Sequence, residues 1–197
     1  LMQLHLTTQK KSRWAEKTPD NILHVDRIFD HWPSARFVHI LRDPLDVYVS
    51  LLNCGKGDAP EVFARSWSDW MSGGEAVGRE IGPEKFRTVL YADLVNRPEL
   101  VMRPLSEFLD LTWSSALATF EGQQDEFDLV LRTTGKRSTT LESLSRPLFN
   151  DRVGVWQRDL DPVVAQNLQC ELEKAGGWST YRRLCDAWGL GEIQEAV

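Results

Sequence analysis

The chain has 197 residues, 42% hydrophobic and 26% charged, with a formal net charge of −6 at neutral pH; a chain of this size buries about two-thirds of its unfolded surface. That acidic balance, with a pI near 5.3, excludes a broadly basic nucleic-acid binder, so an anion site has to be a local cluster of Arg and Lys. Cys54, Cys170 and Cys185 are far apart and odd in number, which suggests neither a disulfide framework nor a zinc site and fits a reduced, cytoplasmic setting, and no apolar run is long enough to cross a bilayer.

In chain order, Asn21 to His31 carries Ile22, Leu23, Val25, Ile28 and Phe29 on a helical period, and Pro33 stops it. Residues 36–41 read as a short apolar strand. Asp43 as a cap, Pro44 at the first helical position and Asp46 in the first turn predict a helix from 44 to 53. Gly55-Lys56-Gly57 follows that helix, so it ends the helix and opens a loop to Pro60. Glu61 to Val77 predicts a further helix with Val62, Phe63, Trp67, Trp70 and Met71 inward, its end weakened by Gly73-Gly74. Phe86 to Tyr91 is a second strand. Arg97-Pro98 launches a helix to Leu109 kinked by Pro104; residues 113–150 form short helices and a loop, and Asp161-Pro162 opens a helix to Ala175. Alternating strands and helices imply a parallel sheet with ligands at the carboxyl ends of its strands.

The stretch Ala35 to Ser50 delivers Arg42 from a strand end to a helix mouth, where unpaired amides and the helix dipole favour an anion. Ser50 follows eight residues later, two turns into the helix, where its hydroxyl reaches the same anion if the helix packs across the site. The plainer reading of Arg42 is an arginine at a sheet edge. Upstream lies Trp14-Ala15-Glu16-Lys17-Thr18-Pro19; downstream lie Val89-Leu90-Tyr91-Ala92-Asp93-Leu94 and Val153-Gly154-Val155-Trp156. In this order the four segments resemble the sulfotransferases that use 3'-phosphoadenosine 5'-phosphosulfate, in the branch whose base segment is Glu-Lys-Thr-Pro. The likeness spans residues 14 to 160.

The resemblance implies an α/β fold, a P-loop-like parallel sheet flanked by helices, with residues 1–197 forming one sulfotransferase domain. It further implies that this domain is the carboxyl-terminal part of a longer one. The amino-terminal strand and glycine-containing loop that hold the 5'-phosphosulfate in the family are expected to lie outside these residues, since Leu1 to Arg13 contains no glycine, and these 197 residues alone are expected to show no sulfuryl transfer.

The implied reaction moves a sulfuryl group from the nucleotide to a hydroxyl or amine acceptor, without a metal or a nucleic-acid partner. Glu16 would be the general base, its pKa raised in water-poor surroundings, and Lys17 the electrostatic clamp. Arg42, Ser50, Tyr91 and Gly154 would hold the 3'-phosphate and adenine end, aided by Arg152 or by Thr140. Thr140 falls where related members place a phosphate-binding Ser, seven residues before Pro147.

Plainer readings stand beside these. Glu16-Lys17 is alternatively an exposed pair leading into a helix, and Lys136-Arg137 beside Gly135 a solvated run. Trp156 stacks on the nucleotide or plugs the core, and His39 is a core or sheet-face residue. The eight tryptophans are core, or some of them line an acceptor groove. A second class of function also fits: a non-catalytic remnant that keeps the fold and binds nucleotide without turnover.

Overall fold

The computed structural model describes residues 12–119 and 148–189. It begins with a 3-10 turn at Pro19–His24 and α1 at Val25–His31. One helix from Asn21 does not form, because His24 at φ −132°, ψ 16° leaves the helical region between the two pieces. Then come β1 (Phe37–Leu41), α2 (Pro44–Asn53), α3 (Pro60–Ile81) and β2 (Phe86–Leu90). Tyr91, expected to end that strand, opens α4 (Tyr91–Asn96) instead, followed by α5 (Pro98–Phe108), which continues through Pro104, and α6 (Ala116–Thr119). After the second described stretch begins come α7 (Trp156–Asp159), α8 (Pro162–Lys174) and α9 (Gly177–Trp188). Sequence periodicity did not reveal α9.

Among the described residues β1 and β2 form a parallel pair, with Phe37 opposite Phe86 and Leu41 opposite Leu90. Alternation along the strands sends Val38 and Val89 to one face and His39 and Phe86 to the other. Val38 and Val89 meet Val101, Leu105 and Phe108 of α5. The opposite side carries the larger core, where α8 and α9 pack on α3. Leu45, Leu168 and Leu172 are fully buried there with Trp67, each Leu stabilising the fold by about 1.5–3 kcal/mol. Two helical layers thus enclose a parallel sheet, the expected α/β class. Trp67 is core and Trp70 packs against it. His39 meets the Phe86 ring at a tilt of 51° with ring centroids 5.9 Å apart, and burial lowers its pKa from 6.5 to about 4, so it is a neutral sheet-face residue at neutral pH. No helix among the described residues is long and apolar enough to cross a membrane.

Two local rules explain α2. The Asp43 side chain accepts from the Leu45 and Asp46 amides at 2.8 and 3.4 Å, and Pro44 occupies the first turn, satisfying donors that a helix start leaves free. At the other end the Gly55 and Lys56 amides return to the Leu52 and Leu51 carbonyls, the ending expected of Gly55-Lys56-Gly57.

The helix expected to reach Val77 with an end weakened by Gly73-Gly74 instead continues past it, and two of its glycines have a packing role. A Cβ on Gly74 would lie 2.8 Å from Ile22 Cδ1, and one on Gly78 2.7 Å from the Phe86 ring. These glycines let α3 lie close on the 3-10 turn and the sheet, and the helix runs four residues beyond Val77 to Ile81. Gly78→Ala therefore destabilises: the overpacking cost of about 1–3 kcal/mol exceeds the propensity gain of roughly 1 kcal/mol. Gly73→Ala, whose nearest neighbour is Leu23 Cδ2 at 3.9 Å, keeps the gain and stabilises. Urea denaturation of the two variants checks the opposite signs.

Candidate functional site

The strand register builds the site. Leu41 pairs with Leu90, so the next residues on each chain, Arg42 and Tyr91, emerge side by side at the carboxyl end of the sheet. The Arg42 guanidinium lies over the Tyr91 ring, 4.9 Å from its centroid, a cation–π contact worth about 0.5–2 kcal/mol. Burial lifts the Tyr91 phenol above its ordinary pKa, with Arg42 opposing, so Tyr91 stays a neutral donor at neutral pH.

A loop closes over this pair. Arg42 Nη2 donates to the Arg152 carbonyl at 2.8 Å, and the Asn150 amide donates to Asn96 Oδ1 at 2.8 Å at the end of α4. Asp46 takes the other side: Oδ2 accepts from the Gly154 amide at 2.8 Å and Oδ1 from the Trp156 amide at 3.1 Å. Asp46 is only 2% exposed; a buried carboxylate is tolerated where its oxygens are hydrogen-bonded. Gly154 turns at φ +67°, a left-handed conformation that costs a residue with a Cβ about 1 kcal/mol or more. The Asp46 and Arg42 contacts join residues 108 and 110 positions apart.

Behind the corner, burial raises the Asp43 carboxyl above its ordinary range, with Asp46 adding to the shift. Tyr181 of α9, raised far above its usual value by burial and then by Asp43, backs the same corner. Arg42 Nε is buried and has no hydrogen-bond partner among the described residues. A buried donor left unpaired costs about 1–3 kcal/mol, and a ligand oxygen at this place removes the cost. Positive charge from Arg42 and Arg152 surrounds it, partly offset by Asp151, 3.7 Å from Arg152 Nε. The donor set therefore suits an anion, with an aromatic face beside it.

Arg42, Tyr91, Arg152 and Gly154, expected at one site, are brought together. Ser50 lies six residues into α2 from Pro44, about 9 Å along the axis, half-buried, and among the described residues no hydrogen bond joins it to Arg42. Thr140, with Gly135, Lys136, Arg137 and Pro147, lies outside the described residues. Trp156 packs against the main core.

Glu16 and Lys17 are exposed, so the water-poor surroundings expected of Glu16 are not found. The reason lies in what holds their segment. Arg13 donates to the Leu109 carbonyl and lies 3.8 Å from Asp110, which also pairs with Arg36. Trp14 meets Trp32 edge to face at 5.9 Å. These tethers sit at the amino-terminal end of β1, six residues from Arg42, about 20 Å along extended backbone. Glu16 itself accepts from Thr18 Oγ1 at 2.5 Å and from Asn21 Nδ2.

Sequence reasoning treated Asp46 only as a first-turn acidic residue and missed its part in the loop. A signal was present: an acidic side chain set among Leu45, Val47, Tyr48 and Val49, where a helix turns an apolar face inward.

A profile described as the sulfotransferase family matches residues 2–115, more than half of the chain. No curated protein sequence matches. Among solved structures, the sulfotransferase STF9 from Mycobacterium avium aligns with 90% of this chain and 42% of its own length, at 17% identity and a TM-score of 0.48; the chain thus spans less than half of that protein.

Proposed function

The chain belongs to the sulfotransferase family, and from that premise we propose that the Arg42 corner holds the 3'-phosphate and adenine end of 3'-phosphoadenosine 5'-phosphosulfate for sulfuryl transfer to a hydroxyl or amine. The observation that carries this reading is the buried Nε of Arg42, without a hydrogen-bond partner among the described residues, beside the Tyr91 ring. Arg42 offers a planar fork to phosphate oxygens, Arg152 adds charge at the rim, and the Tyr91 ring presents an aromatic face to a purine. Ser50 on α2 and Thr140 are the hydroxyls assigned to complete the phosphate contacts.

In the transfer itself, the acceptor must lose a proton as the S–O bond to it forms, and negative charge grows on the departing phosphate oxygen. Glu16 is the carboxylate we assign to that proton and Lys17 the cation we assign to that charge; the Glu-Lys-Thr-Pro segment supports both. The tethers of that segment at the far end of β1 favour a second reading, in which the chain binds the nucleotide without turning it over.

Two variants of the full-length protein separate these readings. Arg42→Ala removes a charge-assisted contact worth about 1.5–3 kcal/mol, so calorimetry should show adenosine 3',5'-bisphosphate binding roughly tenfold to a hundredfold more weakly; unchanged affinity in a folded variant removes Arg42 from the site. Glu16→Gln keeps nucleotide affinity and lowers turnover by roughly 10²- to 10⁴-fold, read with the sulfated donor and a panel of phenol, saccharide and amine acceptors. Equal turnover in both proteins takes the base role from Glu16, and binding without turnover in the parent protein supports the second reading.

A further inference from the structure

Asp46 makes no contact that the family assignment requires, yet it is the most buried acidic side chain in the described core and spends both oxygens on the backbone of one loop. Each is occupied, Oδ2 by the Gly154 amide and Oδ1 by the Trp156 amide. Those amides flank Val155, which is itself buried in the main core. Two residues before Gly154, the Arg152 carbonyl accepts from Arg42. The carboxylate, the loop and the guanidinium form a closed circuit, because Asp46 sits four residues after Arg42 on the same strand-to-helix turn. A shift of Asp46 relative to the loop therefore moves the Arg152 carbonyl relative to Arg42.

The circuit is built for stiffness. Gly154 at φ +67° has nothing within 4 Å of where a Cβ would stand, so the left-handed turn is not forced by crowding. What it does is aim two amides, two residues apart, at one carboxylate. A neutral acceptor pair would satisfy the amides with less desolvation; the carboxylate adds charge-assisted bonds, which are stronger and more directional.

We infer that Asp46 is a positioning residue for the 3'-phosphate end of the nucleotide: through the Gly154 and Trp156 amides it holds the Arg152 segment against Arg42, so that the guanidinium is preset for a phosphate. This rests on the donor reading above. Preorganisation of this kind raises affinity by removing the ordering cost at binding. Its effect is selective, since a nucleotide lacking the 3'-phosphate does not use the Arg42 fork.

The test uses the full-length protein, adenosine 3',5'-bisphosphate and adenosine 5'-monophosphate. Asp46→Asn keeps the side-chain shape but leaves one of the two amides facing an NH2 group. The bisphosphate should bind at least tenfold more weakly and the monophosphate less than twofold so. Amide hydrogen exchange at Gly154 and Trp156 should accelerate at least tenfold while Leu168 in α8 stays protected. Equal weakening of both nucleotides, or unchanged exchange at the two amides, overturns the inference. Gly154→Ala strains the same turn without touching Asp46; if Asp46→Asn does not fold, it decides the matter, with selective loss of the bisphosphate expected and an unchanged ratio of the two affinities contrary. A parent protein that binds neither nucleotide sinks the donor reading and with it the phosphate-positioning role, whereas parent binding with a non-selective Asp46→Asn loss sinks the positioning role alone.

Discussion

Parallel pairing of β1 and β2, with Leu41 opposite Leu90, is the constraint from which the site follows. It makes Arg42 and Tyr91 neighbours across the sheet end, and no single loop conformation is needed to bring them together. A slip of one residue would reverse the face of every side chain on the strand, sending His39 into the α5 layer and Val38 toward α3. Packing of Val38 and Val89 on α5 and burial of Leu41 in the larger core therefore fix the register, and the core that stabilises the fold also aims the cation.

Charge is then balanced locally. Arg42 is attracted to the Tyr91 ring and the Arg152 carbonyl, and Asp43 and Asp46 follow on the same strand-to-helix turn. Two buried or half-buried carboxylates this close repel, and Asp43 responds with a raised pKa caused chiefly by burial. Asp43 is offset by capping α2 and Asp46 by its two amide donors. Surface ion pairs elsewhere, such as Arg103 with Glu99 at 2.6 Å, contribute about 0–1 kcal/mol each and do not bear on the corner. An overall acidic chain can thus carry an anion site, because its field is set within a few ångströms.

Much of this was legible in the residues. Asp43-Pro44 announced α2 because capping and a fixed proline φ act locally, and Asp161-Pro162 announced α8 for the same reason. Arg42, Tyr91, Arg152 and Gly154 were legible as site residues through a family likeness, and their meeting is a tertiary outcome. What escaped depends on partners distant in sequence. Gly73-Gly74 read as a weakening of the end of α3, whereas Gly74 and Gly78 are small because the 3-10 turn and the sheet lie close against them. Asp46 read only as an acidic residue in the first turn of α2, whereas its amide partners lie more than a hundred residues away. The exposure of Glu16 follows from Arg13 and Trp14 reaching Asp110 and Trp32, contacts that no local pattern announces.

The proposed function has a binding part, for which the Arg42–Tyr91 contact and the loop over it give geometric support, and a chemical part, which depends on the Glu-Lys-Thr-Pro likeness. The binding part is central, and its most direct measurement is an NMR titration of the full-length protein with adenosine 3',5'-bisphosphate that follows the Arg42 Nε–H together with the Gly154 and Trp156 amides. The account predicts that all three resonances shift and saturate at one nucleotide concentration. Saturable binding that leaves the Arg42 Nε–H unmoved would contradict it.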